Sequence, residues 1–274
     1  MASAGSNTTD GKPGADLDWQ TPDWPAPDNI GARVTGRTGG VSLPPYDSFN
    51  LGTHVGDVAA TVARNRRALR RALPGLHRLQ WLNQVHGTRV VSVAAGSQGL
   101  RRRQADAACL SQPGDGVAVL TADCLPVLLC SHDGRVAAAA HAGWRGLLNG
   151  VLENTVRATQ YPGTDLMAWL GPAIGPCCFE VGAEVRSAFM AAGTSSAGAM
   201  AAAFKPVAGS HDSRGQNKSM MDIYAAARQR LQMLGVTAIY GGDQCTVCSA
   251  SRFFSYRRDG VTGRMASLIY LKDG

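Results

Sequence analysis

From Ile30 onward the chain alternates short apolar runs with polar stretches marked by Gly and Pro. Ile30 to Thr35 reads as a strand, and Arg37-Thr38-Gly39-Gly40 as the glycine turn after it. Val58 to Leu73 carries apolar residues at helical spacing and stops before Pro74-Gly75. Leu79 to Val85 and Thr88 to Ala94 read as short strands on either side of His86. Residues 115 to 141 form a strand-and-hairpin region. Leu147 to Gln160 is an amphipathic helix, and Met167 to Leu170 a strand leading into Gly171-Pro172-Ala173-Ile174-Gly175-Pro176. Glu180 to Ala192 is expected to be helical, the Ala/Gly-rich stretch 193–209 a helix or a loop, and Asp222 to Leu234 a helix with Asp at its start. Thr237 to Tyr240 and Leu268 to Leu271 close the series as strands.

This mixture lacks the steady strand–helix rhythm of a doubly wound fold, and hairpin connections are prominent. The expected class is α+β (mixed α/β), with mixed β-sheets and flanking helices. Residues 1–18 are rich in Ala, Ser, Gly and Asp and read as a disordered tail, leaving 19–274 as one domain. Trp19 to Pro27 should lie extended on its surface. No GxGxxG or P-loop pattern is present, which argues against a dinucleotide or Walker-type site.

Between two of the apolar runs, Ser131-His132-Asp133-Gly134 is a turn signal. Facing residues of an antiparallel hairpin share a constant index sum. For Cys124 and His141 that sum is 265, centring the turn between His132 and Asp133, whereas the Asp-Gly pair would centre it about one residue later. The two should therefore face each other, to within about two residues, at the open end of the hairpin. With His86 they would make a His₂Cys set. Three such ligands leave the fourth position of a tetrahedral metal free, as in catalytic zinc. Two other readings stand beside this one. Cys124 also reads as a small core residue, the usual role of a buried Cys after an apolar strand, or as a thiolate nucleophile with His141 or His86 as its base.

The formal charge is +7, much of it local. Arg64, Arg66, Arg67, Arg70 and Arg71 share one helical stretch, and Arg101-Arg102-Arg103 sit in a loop. No aromatic-interleaved basic motif accompanies them, so a solvated face is expected rather than a nucleic-acid surface. A modest basic bias still favours phosphorylated substrates. The seven cysteines are odd in number, the N-terminal stretch has no apolar signal core, and no run is long enough for a membrane span. A reduced cytoplasm is the expected compartment. Cys245-Thr246-Val247-Cys248 is a lone CxxC; a zinc ribbon needs a second pair, and Cys177-Cys178 has the wrong spacing for one.

Taken together, the ordered motifs resemble the YfiH-like family, also labelled the laccase-domain, polyphenol-oxidoreductase or peptidoglycan-editing-factor family. The resemblance is carried by Arg37-Thr38-Gly39-Gly40, Asn50-Leu51-Gly52-Thr53-His54, Asn83-Gln84-Val85-His86-Gly87 and Thr121-Ala122-Asp123-Cys124-Leu125-Pro126. It continues through His141-Ala142-Gly143-Trp144-Arg145-Gly146, Gly171 to Cys178, and Phe253-Phe254-Ser255-Tyr256-Arg257-Arg258-Asp259-Gly260. It covers about residue 20 to the end.

The resemblance implies a fold similar to the catalytic domain of cytotoxic necrotising factor toxins. It implies zinc, with copper less favoured, on His86, Cys124 and His141. It also implies a purine nucleoside phosphorylase acting on adenosine, inosine and methylthioadenosine with phosphate, and deaminating adenosine. Asp123 would act as general acid or base beside Cys124, or orient a ligand histidine. Arg37, Arg145 and Arg257 would hold phosphate or ribosyl oxygens. Asn83, Gln84 and His54 would contact substrate, and Trp144 and Phe179 would pack on the purine. The expected state is a monomer or small homo-oligomer. Rival readings are a Cys/His amide hydrolase editing peptidoglycan precursors, a polyphenol oxidase, and a non-catalytic zinc-containing interaction module. The oxidase label fits poorly, because a multicopper cluster needs many imidazoles and the chain has six histidines.

Overall fold

A computed structural model describes residues 17–93, 103–192, 200–213 and 215–273. In chain order the elements are β1 (Trp19–Gln20), β2 (Ile30–Thr35), α1 (Ala59–Arg71), β3 (Arg78–Asn83), β4 (Val90–Val93), β5 (Arg103–Gln104), β6 (Ala107–Leu110) and β7 (Asp115–Thr121). Next come β8 (Leu125–Ser131), β9 (Ala137–Ala142), α2 (Trp144–Asn149), α3 (Val151–Thr159), β10 (Leu166–Leu170), β11 (Glu180–Val181) and α4 (Ala183–Ala191). The chain ends with β12 (Phe204–His211), β13 (Asn217–Met221), α5 (Ile223–Met233), β14 (Ala238–Gly241), α6 (Tyr256–Asp259) and β15 (Met265–Leu271).

Two six-stranded mixed sheets, ordered β1-β2-β15-β7-β3-β5 and β14-β10-β8-β9-β6-β4, carry the core, and a small sheet β11-β13-β12 stands apart. Alternation along the strands explains the layering. Leu128 and Cys130 of β8 pack with Val117 and Val119 of β7 and Ile269 of β15 between the large sheets. Leu125, Val127 and Leu129 of the same β8 turn the other way, onto Leu147, Val151 and Val156 of α2 and α3 and Leu231 of α5. A strand buried on both faces reads as a continuous apolar run rather than an alternating one. On the outer face of the first sheet, Phe49, Leu51 and Leu69 cover Leu120, Leu268 and Tyr270.

The architecture is the expected mixed α+β single domain. The helix read as Leu147–Gln160 is two helices, broken at Gly150, which has φ +97°. The helix read from Glu180 starts at Ala183, after a two-residue strand that pairs with β13. In the Ala/Gly-rich stretch, 193–199 lie outside the described residues, and the segment ends in strand β12. Of the expected tail, 1–16 likewise lie outside them. Leu17 and Asp18 belong to the fold: Leu17 packs on the core, and the Asp18 carbonyl accepts from the Gly36 amide at 2.7 Å. Arg64, Arg67, Arg70 and Arg71 are exposed, as a solvated face requires. Arg66 instead stacks on Trp81 at 3.8 Å and donates to the Leu51 carbonyl. Among the described residues no helix is long and apolar enough to cross a membrane.

Candidate metal centre and substrate cleft

The β8–β9 ladder pairs Pro126 with His141 and Leu125 with Ala142. That register follows the Asp-Gly turn and runs two index units above the 265 sum. Cys124 therefore lies diagonal to His141 rather than directly opposite, within the margin expected. His86 arrives from the loop after β3. The ligating atoms of His86, Cys124 and His141 all lie within 4.8 Å of one another. Cys124 Sγ is 3.8 Å from His86 Nε2. A tetrahedral zinc with bonds of about 2.0–2.3 Å would hold such a pair about 3.6 Å apart, so the donor set fits a zinc-sized ion.

Asp106 organises this set. It is fully buried between β5 and β6, and its carboxylate accepts from the backbone amides of Val85, His86 and Gly87. Those bonds curl the loop around the carboxylate and hold His86 at φ +58°, a left-handed conformation that costs a non-glycine residue energy. Asp106 Oδ1 also lies 2.9 Å from His141 Nδ1. A carboxylate only accepts, so Nδ1 carries a proton, and Nε2 is the nitrogen that could hold a metal once its own proton is lost. Burial alone would raise the Asp106 pKa, but His141 and the loop amides outweigh it and hold the carboxyl below its usual range.

The three side chains also polarise one another. Burial pushes the Cys124 thiol up, but the charge and hydrogen bond of His141, with help from His86, bring it down to about 6. Burial lowers His141, and the thiolate together with Asp106 raises it to about 9. Around neutrality the sulfur is thus a thiolate, the form that binds metal or attacks carbon. Gly143 is required beside it, because a Cβ there would stand 2.9 Å from Cys124 Sγ and 3.2 Å from His86 Cδ2.

The centre opens into a cleft of about 300 Å³. Ile174, Phe179, Ile223 and Trp144 give its lining apolar surface, and Asp123, Arg145 and Arg257 give it charge. Asp123, at φ +96°, accepts from Thr246 Oγ1 and from the Arg257 amide, both at 2.6 Å. The carboxylate bonded to His141 is that of Asp106, not Asp123. Arg257 lies over Phe179 at 5.6 Å and donates to the Glu180 carbonyl at 3.3 Å. Arg145 is exposed and stacks on Trp144 at 4.3 Å.

Four expected substrate residues are not in the cleft lining. Gln84 spends both ends of its amide on the Leu120 backbone, at 2.8 and 2.7 Å, locking the loop to β7. Arg37 is held by Asp47 and the Ala250 carbonyl and lies over the Phe254 ring. Asn83, at the end of β3, and His54, in the loop before α1, are exposed. Asp106, in turn, was missed. Its signal was a single carboxylate inside the apolar run Ala105–Leu110, where a buried acid needs partners.

A family model described as multi-copper polyphenol oxidoreductase laccase matches residues 31–272. A purine nucleoside phosphorylase of Pseudomonas aeruginosa is 50% identical over 255 residues, covering 93% of this chain and 99% of that protein. The purine nucleoside phosphorylase YfiH of Escherichia coli K12 is 48% identical over 250 residues, covering 91% and 97%. Among solved structures, a Neisseria meningitidis protein superposes with a TM-score of 0.84 at 47% identity, covering 93% of this chain and all of that one. YlmD of Geobacillus stearothermophilus gives 0.82 at 30% identity, covering 94% and 97%.

Proposed function

The chain belongs to the laccase-like YfiH family, and from that premise we propose that it is a zinc-dependent purine nucleoside phosphorylase. The observation that carries the reading is the juxtaposition of His86, Cys124 and His141 with a cleft whose lining combines apolar side chains with two arginines and Asp123. Phe179 and Trp144 suit the faces of a purine. Arg145 has no hydrogen-bond acceptor among the described residues, so its guanidinium fork is available to phosphate, and Arg257 lines the same cleft.

In phosphorolysis a phosphate oxygen bonds to ribosyl C1′ as the C1′–N9 bond breaks. The purine leaves with the bonding pair and takes up a proton. Positive charge develops on the ribosyl ring, and the Asp123 carboxylate, fixed by two donors, is a stationary negative charge for it. Zinc bound at the centre would supply a Lewis-acidic charge that polarises a substrate oxygen. Adenosine, inosine and methylthioadenosine are the proposed substrates. Deamination of adenosine, with water replacing the 6-amino group and ammonia leaving, is proposed as a second activity of the same cleft.

Zinc suits the donors better than copper. Only two of the six histidines gather here, and no methionine lines the cleft to serve as the weak axial ligand of a blue-copper site. One observation favours a second reading: Asp106, His141 and Cys124 are linked in the order of a Cys-His-Asp hydrolase. Against it, His86 and the Gly143 backbone crowd the sulfur, where an acyl group would have to bind.

Chromatography of adenosine incubated with metal-quantified protein, with and without phosphate, tests the proposal. Adenine formed only with phosphate is the expected result, and inosine would mark deamination. Absence of product from all three nucleosides despite stoichiometric zinc would refute it. Amide hydrolysis that survives chelation would favour the hydrolase.

A further inference from the structure

A second cluster of donors lies beside the cleft. β10 and β14 are parallel neighbours, and the chain segments leaving their C-terminal ends continue side by side. The Thr246 amide donates to the Ala173 carbonyl at 2.9 Å, and Tyr224 Oη accepts from the Ala173 amide and donates to the Gln244 carbonyl, both at 2.7 Å. This pairing brings the Cys177-Cys178 turn against the Cys245–Cys248 turn. All four sulfurs then lie within 4.8 Å of one another. Cys177 and Cys248 are 3.4 Å apart, Cys178 and Cys248 3.5 Å, and Cys177 and Cys178 3.6 Å.

These separations are far beyond a disulfide bond of about 2.05 Å. They approach the edge of a zinc tetrathiolate, about 3.8 Å for Zn–S bonds of about 2.3 Å. The backbone is also arranged for sulfur. The Gly175 amide donates to Cys245 Sγ at 3.2 Å, and a Cβ at Gly175 would stand 3.0 Å from Cys245 Cβ and 3.3 Å from its sulfur. We propose that Cys177, Cys178, Cys245 and Cys248 bind a structural Zn²⁺, separate from the His86–Cys124–His141 centre. Four sulfur donors with no open position suit a structural ion.

The site has a purpose in the fold. One turn precedes Phe179 in the cleft wall. The other contains Thr246, whose hydroxyl holds Asp123, and its Thr246 and Val247 carbonyls accept from Arg258, next to Arg257. Zinc binding would release the thiol protons and tie both walls of the cleft together.

The test is made on full-length protein purified without added metal. Zinc analysis is expected to find one equivalent that survives His141→Ala and is lost in Cys245→Ser/Cys248→Ser. Cobalt substitution of His141→Ala should give tetrahedral d–d bands with strong thiolate-to-cobalt charge transfer. Should the double variant fail to fold, the wild type still decides. Cys177 and Cys248 are exposed, so brief alkylation with peptide mapping should label them only after chelation. Immediate labelling of both, a disulfide among the four by mass, or an iron–sulfur chromophore would overturn the proposal.

Discussion

Two side chains, one present and one absent, decide whether His86, Cys124 and His141 can act together. Asp106 both folds the loop that carries His86 and fixes the His141 tautomer. Asp106→Asn would set an amide NH₂ against donors that need an acceptor. Zinc affinity, measured by competition with a chromophoric chelator, is expected to fall about 10- to 100-fold. Gly143→Ala is a cleaner probe, because Gly143 has φ −60° and ψ 158°, which alanine adopts freely. Its cost lies in the contacts of the new methyl with Cys124 Sγ and His86 Cδ2. Metal affinity and turnover should both fall, with a stability loss of about 1–3 kcal/mol read from denaturant melts. Unchanged zinc affinity in Gly143→Ala would show that the sulfur is not held where the metal needs it.

At the scale of elements, α3 and α5 are joined by an ion pair. Arg230, 1% exposed, donates to Glu153 at 2.7 Å and to the Leu148 carbonyl at 3.1 Å. Arg230→Ala leaves Glu153 without its partner and opens a cavity. The expected cost is about 3 kcal/mol, at the low end for a buried pair because Glu153 reaches some solvent. Arg230→Met should cost less, since it keeps the packing; equal losses in the two variants would assign the effect to charge alone. The local elements were legible in the sequence. The Asp-Gly turn set the β8–β9 register, and Asp222 caps α5 by accepting from the Ala225 amide at 2.9 Å. The four-cysteine cluster was not legible, because Cys177-Cys178 and the CxxC meet only through the parallel pairing of β10 with β14, which no local pattern announces. The edge strand β12, largely exposed, lacks the apolar signature that marked the core strands.

Across the whole molecule, the family motifs do two kinds of work. Some line the cleft: His86, Asp123-Cys124, Trp144-Arg145 and Arg257. Others, such as Gln84 and Arg37, brace the backbone around it. A motif read along the chain cannot separate the two, since a guanidinium that grips phosphate and one that grips a carbonyl look alike in sequence. Phosphorolysis is expected to require a metal on His86, Cys124 and His141. The most direct measurement is ribose 1-phosphate formation from adenosine and phosphate as zinc is returned to chelated protein, with Cys124→Ala in parallel. Turnover should rise with zinc bound in the wild type and stay at background in the variant, whose fold survives. Full turnover by chelated protein, or by folded Cys124→Ala, would show that phosphorolysis does not need this metal.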